Sequence, residues 1–113
     1  MKLSVLGAGA WGTALAANWA PHLEVTLWGR NAAELDAMRD ARINTRYLPG
    51  CPLPDTLHFN PDFDRVTGSA DLIVIAVPSS GLRTTLEALA QRSELPPLVW
   101  VCKGFEHGSR KLP

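Results

Sequence analysis

The stretch that most limits the fold of this chain is GAGAWG at residues 7–12, between a short aliphatic run and an alanine-rich segment. Glycine weakens both strands and helices, so three glycines at such a junction need a specific reason. Gly7, Gly9 and Gly12 fit the G-x-G-x-x-G pattern of turns that bind dinucleotides. In that pattern the first glycine permits a tight turn, the second lets the backbone approach a pyrophosphate, and the third allows close packing of the helix. The stretch therefore predicts a dinucleotide site, with a tight turn that holds no ligand as the alternative.

The segments on either side of this turn alternate between strand and helix patterns. Aliphatic and other apolar runs predict strands at residues 3–6, 71–77 and 98–102, and a further strand is predicted at residues 24–28. Helical composition and capping residues predict helices at residues 10–20, 31–39 and 61–67, and from Ser79 or Ser80 to residue 92. Between residues 40 and 61, prolines and a glycine are expected to prevent regular structure except for a short strand at residues 56–60. The pattern predicts a doubly wound α/β fold, with a mainly parallel Rossmann sheet and helices on both faces.

Length, charge and cysteine content exclude several other classes of protein. The 113 residues suffice for a single domain, which we predict to be a dinucleotide-binding domain over residues 1–113. Eleven basic and eleven acidic residues balance, which argues against nucleic acid or an anionic membrane as the partner. The apolar run near the N-terminus is too short to span a membrane, and two separated cysteines favour neither a zinc site nor a disulfide scaffold. We expect a cytoplasmic protein with a small-molecule partner and no metal.

The end of the second predicted strand indicates which dinucleotide is preferred. In Rossmann domains an acidic residue at this place binds the ribose 2′-hydroxyl of NAD, whereas an arginine accommodates the 2′-phosphate of NADP. Here the strand is followed by Arg30 and Asn31, and the first acidic residue is Glu34. The absence of an acidic residue here and the presence of Arg30 favour NADPH over NADH. The alternative is that Arg30 is a solvated surface residue with no role in binding. Asn31 also suits the N-cap of the next helix, with Glu34 three residues further on.

Further side chains are candidates for the same edge of the sheet. Trp11 lies in the first turn of the predicted helix, where it either lines the nicotinamide side of the cleft or contacts a second domain or a loop. Lys103 directly follows the last predicted strand, where it either binds phosphate or an oxyanion or is merely exposed. Ser79 and Ser80 end another strand and either hydrogen-bond a cofactor or cap a helix.

Five stretches, in this order, resemble the bacterial-type NAD(P)-dependent glycerol-3-phosphate dehydrogenase family: VLGAGAWGTALA, VTLWGRN, NTRYLPGCPLPDTL, DLIVIAVPSSGLR and WVCKGFE. The resemblance implies reversible hydride transfer between NAD(P)H and dihydroxyacetone phosphate, which gives sn-glycerol 3-phosphate for phospholipid synthesis. It also carries roles onto individual positions. Ala10 and Trp11 fall in the dinucleotide-binding turn, and Arg30, helped by Asn31, falls where the adenosine ribose or its phosphate is held. Tyr47 falls in a loop and is expected to contact the cofactor.

The resemblance also implies parts that lie beyond residue 113. Lys103 matches a lysine that contacts both cofactor and substrate, but the lysine proposed as general acid/base belongs to a later helical domain, so no catalytic residue is expected in this chain. We expect residues 1–113 to end before the last strand or strands and the substrate domain, and to bind dinucleotide without turnover when alone. A homodimer is compatible with this interpretation. The alternatives are a ketopantoate or hydroxyacid reductase of similar architecture, and a non-catalytic dinucleotide-binding module.

Overall fold

A computed structural model describes residues 1–44, 48–77, 79–91 and 96–100, with the backbone alone described for residues 48–51, 79–81 and 100. The elements in chain order are β1 (Lys2–Leu6), α1 (Ala10–Trp19), β2 (Glu24–Trp28), α2 (Ala32–Ala41), β3 (Ile43–Asn44), β4 (Leu48–Pro52), β5 (His58–Phe59), α3 (Phe63–Gly68), β6 (Leu72–Ile75), α4 (Ser79–Ala90) and β7 (Leu98–Trp100). None of the helices described reaches the length and apolar character that crossing a membrane requires.

The main sheet has the strand order β5-β2-β1-β6-β7, and every neighbouring pair in it is parallel. The chain therefore adds strands on one side of β1 first and then crosses to the other side at β6. This is the order of the first five strands in a Rossmann sheet, and it makes the junction of β1 and β6 the switch point of the fold. Ligands of such sheets bind outside the carboxyl ends of the strands at that point.

Both faces of the sheet are covered, so its central strands are buried on both sides. Side chains along β1 and β6 divide between two clusters of buried residues, whereas the buried side chains of β2 belong to the first cluster alone. One cluster includes Leu3, Val25 and Val74 and packs against α1 and α2. The other includes Leu6 and Ile73 and packs against α3 and α4. Burial on both faces explains the continuous apolar runs in the sequence, and the predicted doubly wound α/β class is confirmed.

The expectation of irregular structure between residues 40 and 61 was wrong in one part. β3 and β4 form a separate antiparallel pair, which includes two prolines and has a shift in register next to Asn44. A two-stranded edge tolerates proline because few of its N–H groups need a partner on the neighbouring strand. Leu53 N–H donates to the Arg42 carbonyl at 2.7 Å, and the Arg42 guanidinium donates to the carbonyls of Pro54 and Leu57 at 3.1 and 2.9 Å. These bonds order a loop that has no periodic pattern.

The remaining boundaries differ from the predicted ones by a few residues. The second helix continues to Ala41 and is terminated by Arg42, which adopts a left-handed conformation at φ 57°. The strand expected at residues 56–60 is reduced to His58–Phe59, and the one expected at residues 71–77 to Leu72–Ile75. The last strand is described as Leu98–Trp100, and residues 101 and 102 of the prediction lie outside the described part of the chain.

Candidate functional site

The turn at residues 7–12, hereafter the glycine turn, lies where β1 leaves the sheet next to the end of β6. The N–H of Gly7 donates to the Trp28 carbonyl at 2.8 Å, so the turn is bonded to the end of β2. The N–H of Ala76 donates to the Leu6 carbonyl at 2.8 Å, which joins the end of β6 to the residue before the turn. The glycine turn is thus held at the switch point, where the fold class places its ligands.

Gly7 and Gly12 are glycines for steric reasons within the protein itself. Gly7 has φ of +122°, and a Cβ built on it would lie 2.7 Å from the Ala76 carbonyl oxygen. A Cβ on Gly12 would overlap the carbonyl oxygen of Gly7 and would lie 3.4 Å from the Ala76 Cβ. No larger side chain fits at either position without a shift of the backbone, since both contacts are to main-chain atoms. The tight turn and the close approach of α1 therefore match the roles expected of the first and third glycines.

Gly9 differs from the other two because the protein does not fill the space beside it. A Cβ on Gly9 would meet no atom within 4 Å, and its φ of −76° is one that any residue adopts. Gly9 is the N-cap of α1, which has no side-chain cap and no acidic residue in its first turn. The first hydrogen bond of the helix runs from the Thr13 N–H to the Gly9 carbonyl at 3.0 Å. The N–H groups of residues 10–12 therefore have no acceptor within the helix. An open approach to N–H groups at the positive end of a helix suits an anion.

A buried polar cluster on the other side of the glycine turn was not predicted from the sequence. Asn44 and Thr13 are 3% and 0% exposed. Asn44 Nδ2 donates to the Ala8 carbonyl at 2.9 Å and to Thr13 Oγ1 at 2.8 Å, and the Thr13 hydroxyl donates to the same carbonyl at 3.3 Å. The carbonyl at the centre of the turn is therefore fixed by two side chains, one of which comes from β3.

The end of β2 lies beside the glycine turn. A Cβ on Gly29 would be 2.9 Å from the Cβ of Ala8, so Gly29 permits this close contact. Arg30, the next residue, is exposed. Asn31 is the N-cap of α2, and its Oδ1 accepts from the Glu34 N–H at 3.1 Å, which confirms the predicted cap. The structure thus brings the segment of Arg30 and Asn31 next to residue 8, while leaving the Arg30 side chain on the surface.

Trp11 stands in the first turn of α1 and is partly buried. Its Nε1 is buried, and within the described part of the chain it has no hydrogen-bond partner. Buried indole N–H groups usually donate to an acceptor. A ligand or another segment of the protein can provide the acceptor for this one. Both interpretations of Trp11, a wall of the nicotinamide cleft or a contact to another segment, stay predictions.

Other candidate residues fall where the structure gives no description. Tyr47 and Lys103 lie outside the described ranges, and of Ser79 and Ser80 only the backbone at the start of α4 is described.

A cavity of about 380 Å³ lies under α3, lined by Thr26, Asn60, Arg65, Val66 and Ser69, and is separate from the glycine turn. Among the described residues, no group of three or more His, Cys, Asp or Glu side chains is placed to hold a metal ion.

The strand order and the glycine turn at the switch point define a dinucleotide-binding Rossmann domain. Residues 2–113 match the family described as the N-terminus of NAD-dependent glycerol-3-phosphate dehydrogenase. The chain belongs to this family, and the resemblance seen in its five stretches is confirmed.

Individual relatives agree with this assignment. The NAD(P)+ glycerol-3-phosphate dehydrogenase of Thiobacillus denitrificans is 69% identical over 113 residues, which are 100% of this chain and 34% of that protein. The crystal structure of glycerol-3-phosphate dehydrogenase from Coxiella burnetii has a TM-score of 0.82 at 33% identity, over 96% of this chain and 34% of that one. The enzyme from Saccharomyces cerevisiae has a TM-score of 0.80 at 27% identity, over 92% and 34%. The chain therefore spans about a third of the length of these relatives.

Proposed function

We propose that the full-length protein containing this chain is an NAD(P)H-dependent glycerol-3-phosphate dehydrogenase, and that residues 1–113 are its cofactor-binding part. The observation that carries the proposal is the open space beside Gly9 at the uncapped start of α1, in a chain of this family. The reaction is reversible hydride transfer between NAD(P)H and dihydroxyacetone phosphate, with sn-glycerol 3-phosphate as the product used for phospholipid synthesis.

The residues at the glycine turn suit the pyrophosphate of a dinucleotide. The N–H groups of Ala10, Trp11 and Gly12 lie at the positive end of α1, with no acidic side chain in that turn to compensate the dipole. Gly7 and Gly12 let the turn and the helix come together, and Gly9 leaves room for the phosphates. When bound, NAD(P)H supplies the hydride. The alkoxide that forms from the ketone needs a proton, and we propose that a lysine outside this chain supplies it.

The other candidate residues have proposed roles in the same site. Arg30, helped by Asn31, would hold the adenosine ribose or its 2′-phosphate, and its position after β2 without a nearby acid favours NADPH. Tyr47 would contact the cofactor. Lys103 would contact both the cofactor and the substrate. These roles rest on the family and on the order of residues along the chain.

The decisive experiment is an assay of the full-length protein, purified from a host strain that lacks its own glycerol-3-phosphate dehydrogenase. We expect oxidation of NADPH, and more slowly of NADH, that depends on dihydroxyacetone phosphate and saturates with it. Ketopantoate and simple 2-keto acids are tested in parallel, because reductases for these substrates are the competing class. Turnover of one of them instead of dihydroxyacetone phosphate would overturn the proposed substrate, and binding of NADPH without any turnover would favour a non-catalytic module.

Two properties of the whole protein complete the proposal. A cytoplasmic location is consistent with a phosphorylated, charged substrate that does not cross membranes unaided, and cell fractionation tests it. A homodimer of the full-length protein is compatible with the proposal, and light scattering on a size-exclusion column distinguishes it from a monomer. The 113 residues expressed alone are expected to show no turnover of dihydroxyacetone phosphate, and robust activity from them would contradict the assignment of the proton donor.

A further inference from the structure

We infer that Asn44 is a positioning residue for the dinucleotide, an inference that rests on the proposed cofactor function. Its side chain is buried and uses Nδ2 to donate to the Ala8 carbonyl at 2.9 Å and to Thr13 Oγ1 at 2.8 Å. Asn44 ends the short strand β3, which is outside the main sheet. A residue thirty-one positions after Thr13 therefore determines how the glycine turn is held.

The geometry of one peptide bond links the side chain of Asn44 to an N–H donor in the glycine turn. The carbonyl of Ala8 and the N–H of Gly9 belong to one peptide unit, which is planar and trans, so they point in opposite directions. Because Asn44 and Thr13 fix the Ala8 oxygen, the Gly9 N–H is directed away from both side chains. Asn44 thus determines the orientation of a donor in the glycine turn without being part of the open space beside Gly9.

The hydrogen bonds of the cluster explain the presence of a donor side chain at position 44. The Thr13 hydroxyl donates to the Ala8 carbonyl and accepts from Asn44, so its one proton is used. The Thr13 oxygen therefore needs a donor from another residue, and Asn44 Nδ2 provides it while also donating to the Ala8 carbonyl. A leucine has a similar size but no donor. With leucine at position 44, the Ala8 carbonyl would keep only the hydrogen bond from the Thr13 hydroxyl among its two side-chain bonds.

The test compares Asn44→Leu with Asn60→Leu in the full-length enzyme. Asn60 is a matched control because its side chain also bonds to the backbone, accepting from the Asp62 N–H at 2.9 Å, but it lies after β5 and away from the glycine turn. The dissociation constant for NADPH is measured by fluorescence titration, together with KM for NADPH and kcat at saturation. We expect Asn44→Leu to raise Kd and KM about tenfold, because a bond that orients a donor is worth about this much, with kcat unchanged to about twofold. Asn60→Leu should leave all three unchanged.

A purely structural role gives a different pattern from a positioning role. If Asn44→Leu only lowers the folded fraction, the apparent kcat falls while Kd and KM for NADPH stay at the parent values, and the inference is wrong. If Asn44→Leu does not fold, Thr13→Val and Thr13→Ser take its place, because valine keeps the shape of threonine and serine keeps its hydroxyl. Tighter NADPH binding by Thr13→Ser than by Thr13→Val supports the inference, and equal binding overturns it. Absence of NADPH binding by the parent protein would instead contradict the proposed function, so the two failures are distinguishable.

Discussion

Replacing Gly9 and Gly12 by alanine, one at a time, separates binding from folding within one turn. At Gly9 the added methyl group meets no protein atom within 4 Å, and the backbone conformation suits alanine. Loss of glycine flexibility in the unfolded chain stabilises such a variant by about 0.4–1 kcal/mol. Alanine is a poorer N-cap than glycine by an amount of similar size, about 0.5–1 kcal/mol. The two effects offset each other, so we expect the free energy of unfolding of Gly9→Ala to stay within about 1 kcal/mol of the parent value.

Dinucleotide binding should weaken in Gly9→Ala although its stability is nearly unchanged. The methyl group of Gly9→Ala occupies the space through which a pyrophosphate approaches the start of α1. Loss of one charge-assisted hydrogen bond from backbone N–H to phosphate costs about 1.5–3 kcal/mol, which corresponds to roughly a tenfold to hundredfold rise in the Kd for NADPH. Gly12→Ala places its methyl group on the Gly7 carbonyl, so the helix must move and stability should fall by about 1–3 kcal/mol.

The assay measures both quantities on the same preparations. Kd for NADPH is obtained by isothermal calorimetry, and stability is obtained from unfolding by urea, followed by circular dichroism and tryptophan fluorescence. Gly9→Ala should lose affinity at nearly constant stability, and Gly12→Ala should lose stability. Parent-like affinity in a folded Gly9→Ala protein would refute the placement of the pyrophosphate beside Gly9.

Three further variants test other parts of the domain. Arg30→Ala should lower kcat/KM for NADPH about tenfold and leave that for NADH nearly unchanged, because only NADPH carries the 2′-phosphate; an equal loss with both cofactors would contradict this role. Asn31→Ala removes the acceptor for the Glu34 N–H and should cost about 1 kcal/mol in urea unfolding, whereas Asn31→Asp keeps the cap and should cost less than half of this. Leu27→Ala leaves a cavity at a fully buried position of β2 and should cost about 2–5 kcal/mol by the same measurement; a loss well below 1 kcal/mol would contradict the burial of Leu27 in the core beneath α1 and α2.

The parts of the fold that the sequence predicted are those determined by local patterns. Strands β1 and β6 are buried on both faces, and their continuous apolar runs are visible without knowledge of their neighbours. The cap of α2 was predicted because Asn31 and Glu34 are three residues apart and make their bond within one turn. The pair β3 and β4 was missed because a two-residue strand has no period, and prolines usually exclude a strand.

The candidate site divides in the same way. The three glycines were found because their spacing is a known pattern within six residues; Gly7 and Gly12 answer steric demands of the turn, whereas Gly9 leaves open space beside it. The contact of Asn44 with Ala8 and Thr13 joins residues far apart in the chain, so no local pattern signals it. The one sequence signal was indirect: the stretch NTRYLPGCPLPDTL, which carried part of the family resemblance, begins at Asn44.

The glycine turn is supported from three directions by parts of the chain that are distant in sequence. β2 provides the Trp28 carbonyl for Gly7, the end of β6 packs against Gly7 at residue 76, and β3 provides the amide of Asn44 for Ala8. Such support fixes the backbone before a ligand arrives, so binding does not have to pay for ordering the turn. Substitutions in these supports should therefore weaken dinucleotide binding even where the altered side chain lies away from the ligand. The affinity of this domain is consequently a property of three packed strands as well as of the six residues of the turn.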